Sequence, residues 1–124
     1  MRDMAVDEQL FARTYEAFNR RDIETIMAVM HPEVDWPNGW EGGRVFGPEA
    51  VRDYWKRQWS VVDPLVNPMG FSEDVEGRTV VDVRQVVRDR GGNVFIDERV
   101  EHVYTLEDGL IRRMEIRKPY SGAS

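Results

Sequence analysis

TVVDVRQVVRDRGGNVFIDERVEHVYTL, residues 79–106, is the stretch whose reading decides the fold. From Thr79 to Arg88 the residues alternate, with Val81, Val83, Gln85 and Val87 on one side and Val80, Asp82, Arg84, Val86 and Arg88 on the other. Period-two alternation is the mark of a strand with one buried face, because successive side chains leave a strand in opposite directions. Arg90-Gly91-Gly92-Asn93 then reads as a hairpin turn, since glycine reaches positive φ without steric cost. A second strand, Val94–Leu106, carries one mostly apolar set (Val94, Ile96, Glu98, Val100, His102, Tyr104, Leu106) and one mostly polar set (Phe95, Asp97, Arg99, Glu101, Val103, Thr105). One bulge in this strand would reverse the two sets. Glu107-Asp108-Gly109 is the next turn, and Leu110 to about Lys118 the last strand.

Upstream the period changes from two to 3.6. Leu10, Phe11, Thr14, Tyr15 and Phe18 mark one face of a helix from about Asp7 to Arg20. Asp22 suits the cap of a second helix, Ile23 to about Met30, which His31-Pro32 ends. Glu33–Trp36 is a short strand, and Pro37–Gly43 a glycine-rich loop. Gly47-Pro48 opens a third helix with Val51, Tyr54, Trp55, Gln58 and Trp59 on its face, closed by Asp63-Pro64. A further strand lies between Leu65 and Val75. Helices first and strands after predict an α+β fold with three N-terminal helices on a mostly antiparallel sheet, in one domain spanning residues 1–124.

Composition removes several classes of function. With no cysteine, thiol nucleophiles, thiolate metal sites and disulfides are excluded. A net charge of −6, with basic pairs interleaved among acids, argues against nucleic acid as partner. No apolar run approaches the ~20 residues needed to cross a bilayer. The first eight residues carry no continuous apolar region, so the expectation is a cytoplasmic chain without a signal peptide and without a membrane partner. Only His31 and His102 are present, far apart in sequence and without acidic ligand spacing, so no metal is expected; no glycine-rich phosphate loop points to a cofactor.

Four segments in order, YEAFNRRD (15–22), PEVDW (32–36), GPEAVRDYW (47–55) and HVYTLEDGLI (102–111), resemble the nuclear transport factor 2-like superfamily, in its SnoaL-like polyketide cyclase and ketosteroid isomerase-like branch. The resemblance implies a cone-shaped, cystatin-like roll with a pocket between helices and curved sheet, and a homodimer formed through the outer sheet face. In ketosteroid isomerases a first-helix tyrosine holds the substrate carbonyl, an aspartate after the first strand moves the proton, and an acidic residue on the third sheet strand helps hold the oxyanion. Laid on this chain, those positions fall on Thr14 (with Tyr15 one step away, about 100° round the helix), on Asn38, and on Glu101 or His102. A carboxamide takes up no proton near neutrality, so Asn38 argues against steroid isomerisation by that mechanism.

If the apolar faces point inward, the pocket gathers Tyr15, Trp36, Asn38, Tyr54, Trp55, Gln85, Glu98 and Met114 as ligand-binding residues. His102 is the candidate for proton transfer, since an imidazole titrates near ~6.5. A satisfied core histidine is an almost equal alternative. Asp35 is the reserve base, on the face opposite Trp36 unless Pro37 turns it inward. Asn38 is read either as a ligand contact or as a turn residue before Gly39. Three functions stay open. One is a cofactor-free acid–base enzyme (isomerase, cyclase or hydrolase) acting on an apolar or polycyclic carbonyl compound. Another is a non-catalytic binder of a small apolar or aromatic ligand. The last is a homodimerisation domain whose pocket is filled by its four tryptophans.

Overall fold

The computed structural model describes residues 4–118, with side-chain surroundings from Glu8 onward. Helix α1 runs Met4–Asn19, beginning about one turn before the expected Asp7, and buries Phe11, Thr14, Tyr15 and Ala17. Thr14 spends its hydroxyl proton on the Leu10 carbonyl (2.8 Å), so it has no further hydrogen to donate on that face. The helix ends in a tight turn in which Arg21 takes positive φ (64°). That conformation is held from outside. The Arg21 guanidinium donates to the Phe18 carbonyl at 3.0 Å, pairs with Asp63, and lies 5.0 Å from the Trp59 ring centre.

Asp22 caps α2 (Ile23–Met27) as expected, accepting from the Thr25 hydroxyl at 2.7 Å. The helix is shorter than the sequence suggests. Strand β1 starts at Met30 and runs to Pro37, because the Val29 carbonyl is taken by the Ile111 amide (2.8 Å) and the chain joins the sheet there. Strand β2, Arg44–Phe46, lies in what reads as irregular loop, pairing Trp36 with Val45 and Asp35 with Phe46. Helix α3, Pro48–Val61, follows a Gly47 at φ 89°, a backbone position that side chains beyond glycine tolerate poorly.

Strands β3 (Val62–Glu73), β4 (Thr79–Asp89), β5 (Val94–Glu107) and β6 (Leu110–Arg117) complete one six-stranded sheet, ordered β2-β1-β6-β5-β4-β3. All neighbours are antiparallel except β1 and β6. Pro64 and Pro68 sit on β3 because it is an edge strand, where a missing N–H costs no ladder bond. Asp108 and Gly109, both at positive φ, turn β5 into β6. The sheet is curved and open, and the three helices pack on its inner face. Between them lies a core in which Phe11, Val34, Val51, Val81 and Val83 have no exposed surface.

The outer face is a charged lattice. Arg84 grips Asp97 with two bonds (2.9 and 2.7 Å), Arg99 pairs with Asp82, and Arg117 donates to Glu101 at 2.7 Å. Glu101 is therefore spent outside, which leaves His102 as the inward residue of that pair. The ladder irregularities fall at Val87/Arg88, opposite Phe95, and at Thr105/Leu106, so the alternation between Ile96 and Tyr104 keeps its facing around His102. No described helix is long and apolar enough to cross a membrane.

Candidate active site between helices and sheet

The inner end of the site is built from α1 and β5. Tyr15 is brought beside His102 because both belong to buried faces of their elements. The Tyr15 hydroxyl lies 2.7 Å from His102 Nδ1, and Tyr104, two residues along the same strand face, donates its hydroxyl to Tyr15 at 2.9 Å. With the Tyr15 oxygen accepting from Tyr104, its own proton goes to Nδ1. The neutral imidazole then carries its hydrogen on Nε2. Nε2 is buried and has no hydrogen-bond partner among the described residues.

Burial sets the protonation of all three groups. It lowers the His102 pKa to about 4, so the ring is neutral at physiological pH. It pushes the Tyr15 hydroxyl well above the usual phenol range, with Tyr104 adding to the effect, and it raises Tyr104 too. The site is a chain of neutral donors and acceptors ending in an unpaired polar atom.

Beside this chain lies a hollow of about 90 Å³. Its walls include Tyr15, Trp36, Tyr54, Trp55, Gln85, Met114 and His102, and among the described residues none of its lining side chains is charged. Trp36 meets Trp55 edge to face at 5.5 Å, and Trp55 stacks on Trp59 at 5.8 Å. Trp36 and Trp55 thus wall the space without filling it. A second, wider hollow of about 510 Å³ shares Tyr54, Gln58 and Gln85 with the first and adds charged groups, Arg44, Glu98, Glu115 and Lys118.

Three of the expected residues stand apart from the inner hollow. Asn38 lines the outer one, and both polar atoms of its amide are engaged: Oδ1 accepts from the Trp40 and Glu41 amides (3.2 and 2.7 Å) and Nδ2 donates to Glu41 (3.0 Å). Of its two readings, turn chemistry takes every polar atom of the side chain. Glu98 also lies in the outer hollow and is paired with Lys118 at 2.6 Å. Asp35 faces away from Trp36 and is held by Arg44 and Arg113, so Pro37 does not turn it inward. Asp35→Asn is expected to lower unfolding free energy by about 1–2 kcal/mol, the upper range for a buried pair being reduced because Arg113 is partly exposed. The same variant should leave ligand affinity unchanged, which parallel urea unfolding and binding titrations would check.

Sequence reading passed over Tyr104 and Gln58. The signals were present: Tyr104 is two residues from His102 on one strand face, and Gln58 is one helical turn beyond Tyr54. It also missed a cluster of His31, Glu107 and Asp108, whose ligand atoms lie within 4.8 Å of one another. The parallel β1–β6 pairing brings them together. His31 Nδ1 already accepts the Glu33 amide (2.9 Å), which places the neutral ring's proton on Nε2, the nitrogen facing Glu107. The histidine therefore offers no free lone pair to a cation.

Comparison with known proteins follows the same lines. The SnoaL-like domain model matches residues 11–114. None of the curated proteins matches the sequence. Among solved structures, the chain is similar to an NTF2-like protein of unknown function from Burkholderia pseudomallei, with 24% identity, TM-score 0.77, and coverage of 93% of this chain and 92% of that one. TerC co-crystallised with polyporic acid is 27% identical, with TM-score 0.76 and 92% of each chain covered. A putative polyketide cyclase from Sinorhizobium meliloti is 19% identical, with TM-score 0.73, covering 88% of this chain and 94% of that one.

Proposed function

The chain belongs to the SnoaL-like domain family, and from that premise we propose that it takes up a small, uncharged, largely aromatic compound carrying a hydrogen-bond-accepting oxygen. The observation that carries this reading is the unpaired Nε2 of His102, a side chain that borders a cavity lined by aromatic and neutral side chains. A buried donor without a partner is costly, so a ligand oxygen that accepts from it recovers that cost on binding. An all-neutral lining penalises a charged guest, which would lose its hydration there without gaining a counter-charge. Co-crystallisation of TerC with polyporic acid supports a small-molecule role for this fold.

The same geometry limits the chemistry. A neutral imidazole Nε2–H polarises a carbonyl and stabilises charge developing on its oxygen. Completing an acid–base reaction also needs a group to receive a proton, and among the described residues no carboxylate lines the inner hollow. Tyr15 is a poor proton source through the relay, because burial holds its hydroxyl protonated. Binding with carbonyl polarisation is therefore the favoured reading. Catalysis as an isomerase, cyclase or hydrolase is the second, with His102 as its proton-transferring group. Nε2 has almost no open surface of its own, so a ligand oxygen has to displace a wall atom to reach it. Met114, an unbranched thioether in the same lining, is the side chain best suited to yield.

The proposal includes a homodimer through the outer sheet face, whose ion pairs would give a polar interface weakened by salt. It also includes a cytoplasmic location. The ligand test uses acetophenone and ethylbenzene, which share one ring and differ by the carbonyl. Acetophenone is expected to bind more tightly and to shift the His102 ring nitrogens in ¹⁵N NMR, with a His31→Gln variant fixing the assignment. Failure of both compounds to bind, or acetophenone binding that leaves His102 unmoved, would overturn the reading.

A further inference from the structure

The inner hollow is small. A cavity of roughly 150 Å³ is what a single benzene occupies in a protein core, and the inner hollow measures about 90 Å³. It takes one ring at most, and then only as its walls adjust. Anything longer has to continue into the outer hollow of about 510 Å³. Pro37, Tyr54, Gln58, Gln85, Val87 and Ile116 line both, which makes the two spaces neighbours along these residues.

Within that shared boundary the polar side chains are Tyr54, Gln58 and Gln85. The backbone of Trp40 and Gly39 lies close enough to the Tyr54 hydroxyl to offset part of the rise that burial gives its pKa. The two glutamines are different. They approach from opposite layers, Gln58 from α3 and Gln85 from the inner face of β4, and both are half-buried. The hydrogen bonds of the surrounding wall run among Asn38, Glu41, Asp35, Arg44 and Arg57, and between Glu98 and Lys118; neither glutamine takes part in them. Gln85 even lies directly across the ladder from Glu98, whose carboxylate turns to Lys118 instead. A carboxamide carries two donors and an acceptor. Two of them, without a side-chain hydrogen bond among the described residues and lining both hollows, can meet a polar atom of a guest.

Resting on the small-molecule reading above, we infer that Gln58 and Gln85 are specificity-determining residues that read a carbonyl or hydroxyl midway along an elongated ligand. One aromatic end of that ligand enters the inner hollow, its middle polar atom stops at the glutamines, and its other end lies in the outer hollow. The ligand class is therefore an aromatic group whose own oxygen meets His102, joined through a second oxygen-bearing carbon to an outer group, too long for the inner hollow alone. The charged rim of the outer hollow (Arg44, Glu98, Glu115, Lys118) tolerates polar substituents on the outer end.

Benzophenone and diphenylmethane test this, since they share a two-ring shape and differ only in the central carbonyl. Wild-type protein is expected to bind benzophenone about tenfold more tightly, the effect of one or two neutral hydrogen bonds made in a partly desolvated site. Gln58→Leu and Gln85→Leu should each remove most of that preference while diphenylmethane affinity stays within about twofold. Irradiated benzophenone inserts next to its carbonyl, so in wild-type protein the label should map by mass spectrometry to α3 and β4 around Gln58 and Gln85. That readout does not depend on any variant folding. Equal affinity for the two compounds in wild type, a preference that survives both substitutions, or a label placed elsewhere would overturn the inference. If acetophenone binds and neither two-ring compound does, the joined-hollow inference fails and the small-molecule reading stands. If acetophenone fails as well, both fall.

Discussion

Tyr104→Ala is expected to lower the unfolding free energy by about 4 kcal/mol, with urea denaturation followed by tryptophan fluorescence as the measurement. Tyr104 is among the largest fully buried side chains of the protein. Its ring packs 4.5 Å from Phe11 of α1, 6.3 Å from Trp36 of β1 and 6.4 Å from Tyr15. It therefore joins the first helix to two strands of the sheet, and truncation opens a cavity at the point where the layers meet. Close packing leaves neighbours little freedom to collapse into the gap, which is why the cavity adds to the lost transfer energy.

The hydroxyl matters far less to stability than the ring. Tyr104→Phe keeps the packing and removes one buried donor–acceptor contact, so its expected cost is about 1 kcal/mol. Its effect on the site is a different one. Without the Tyr104 donor, the Tyr15 oxygen loses the bond that directs its proton toward His102 Nδ1. Should Tyr104→Phe prove as destabilising as Tyr104→Ala, the hydrogen-bond chain rather than packing would hold the layers together.

The reach of the sequence follows from which forces are local. Strands β4 and β5 were readable because a hairpin joins them and one face is buried, so period two survives over Val81–Val87 and Val100–Tyr104. Asp22 was readable as a cap because capping needs only the next three residues. The early end of α2 was not, since Val29 and Met30 leave the helix to join β6, some eighty residues downstream in the chain. Strand β2 is three residues long among glycines, too short to show any period. The same non-local pairing explains the site. Asp35 meets Arg113 only through the parallel β1–β6 contact, and the boundary between the hollows exists only once α3 lies over β4. His102, Tyr15, Trp36 and Trp55 were legible as inward residues from local period alone, and their grouping around one space required the fold.

Stability should fall steeply as pH drops from about 6.5 toward about 4, and His102 should account for up to about 3 kcal/mol of that fall. The sign follows from proton counting. In the unfolded chain an imidazole binds its proton near 6.5, whereas burial lowers the folded value to about 4. Between those values the unfolded state holds more protons than the folded one, so acid favours unfolding. Above about 6.5 both states are neutral and the contribution is complete; below about 4 both are protonated and the dependence ends. The groups packed on the ring are the hydroxyls of Tyr15 and Tyr104, which keep their protons throughout this range and do not titrate against it. His102→Phe removes the titration, so subtracting its pH profile from that of wild type isolates the histidine from His31 and from the surface carboxylates. A difference profile that rises between about 4 and about 6.5 fits a neutral, buried ring available as a hydrogen-bond donor. A flat difference means that His102 takes up its proton as readily in the folded protein as in the unfolded chain. The imidazole would then be cationic under mild acid, and the cavity would select an anionic oxygen rather than a neutral carbonyl.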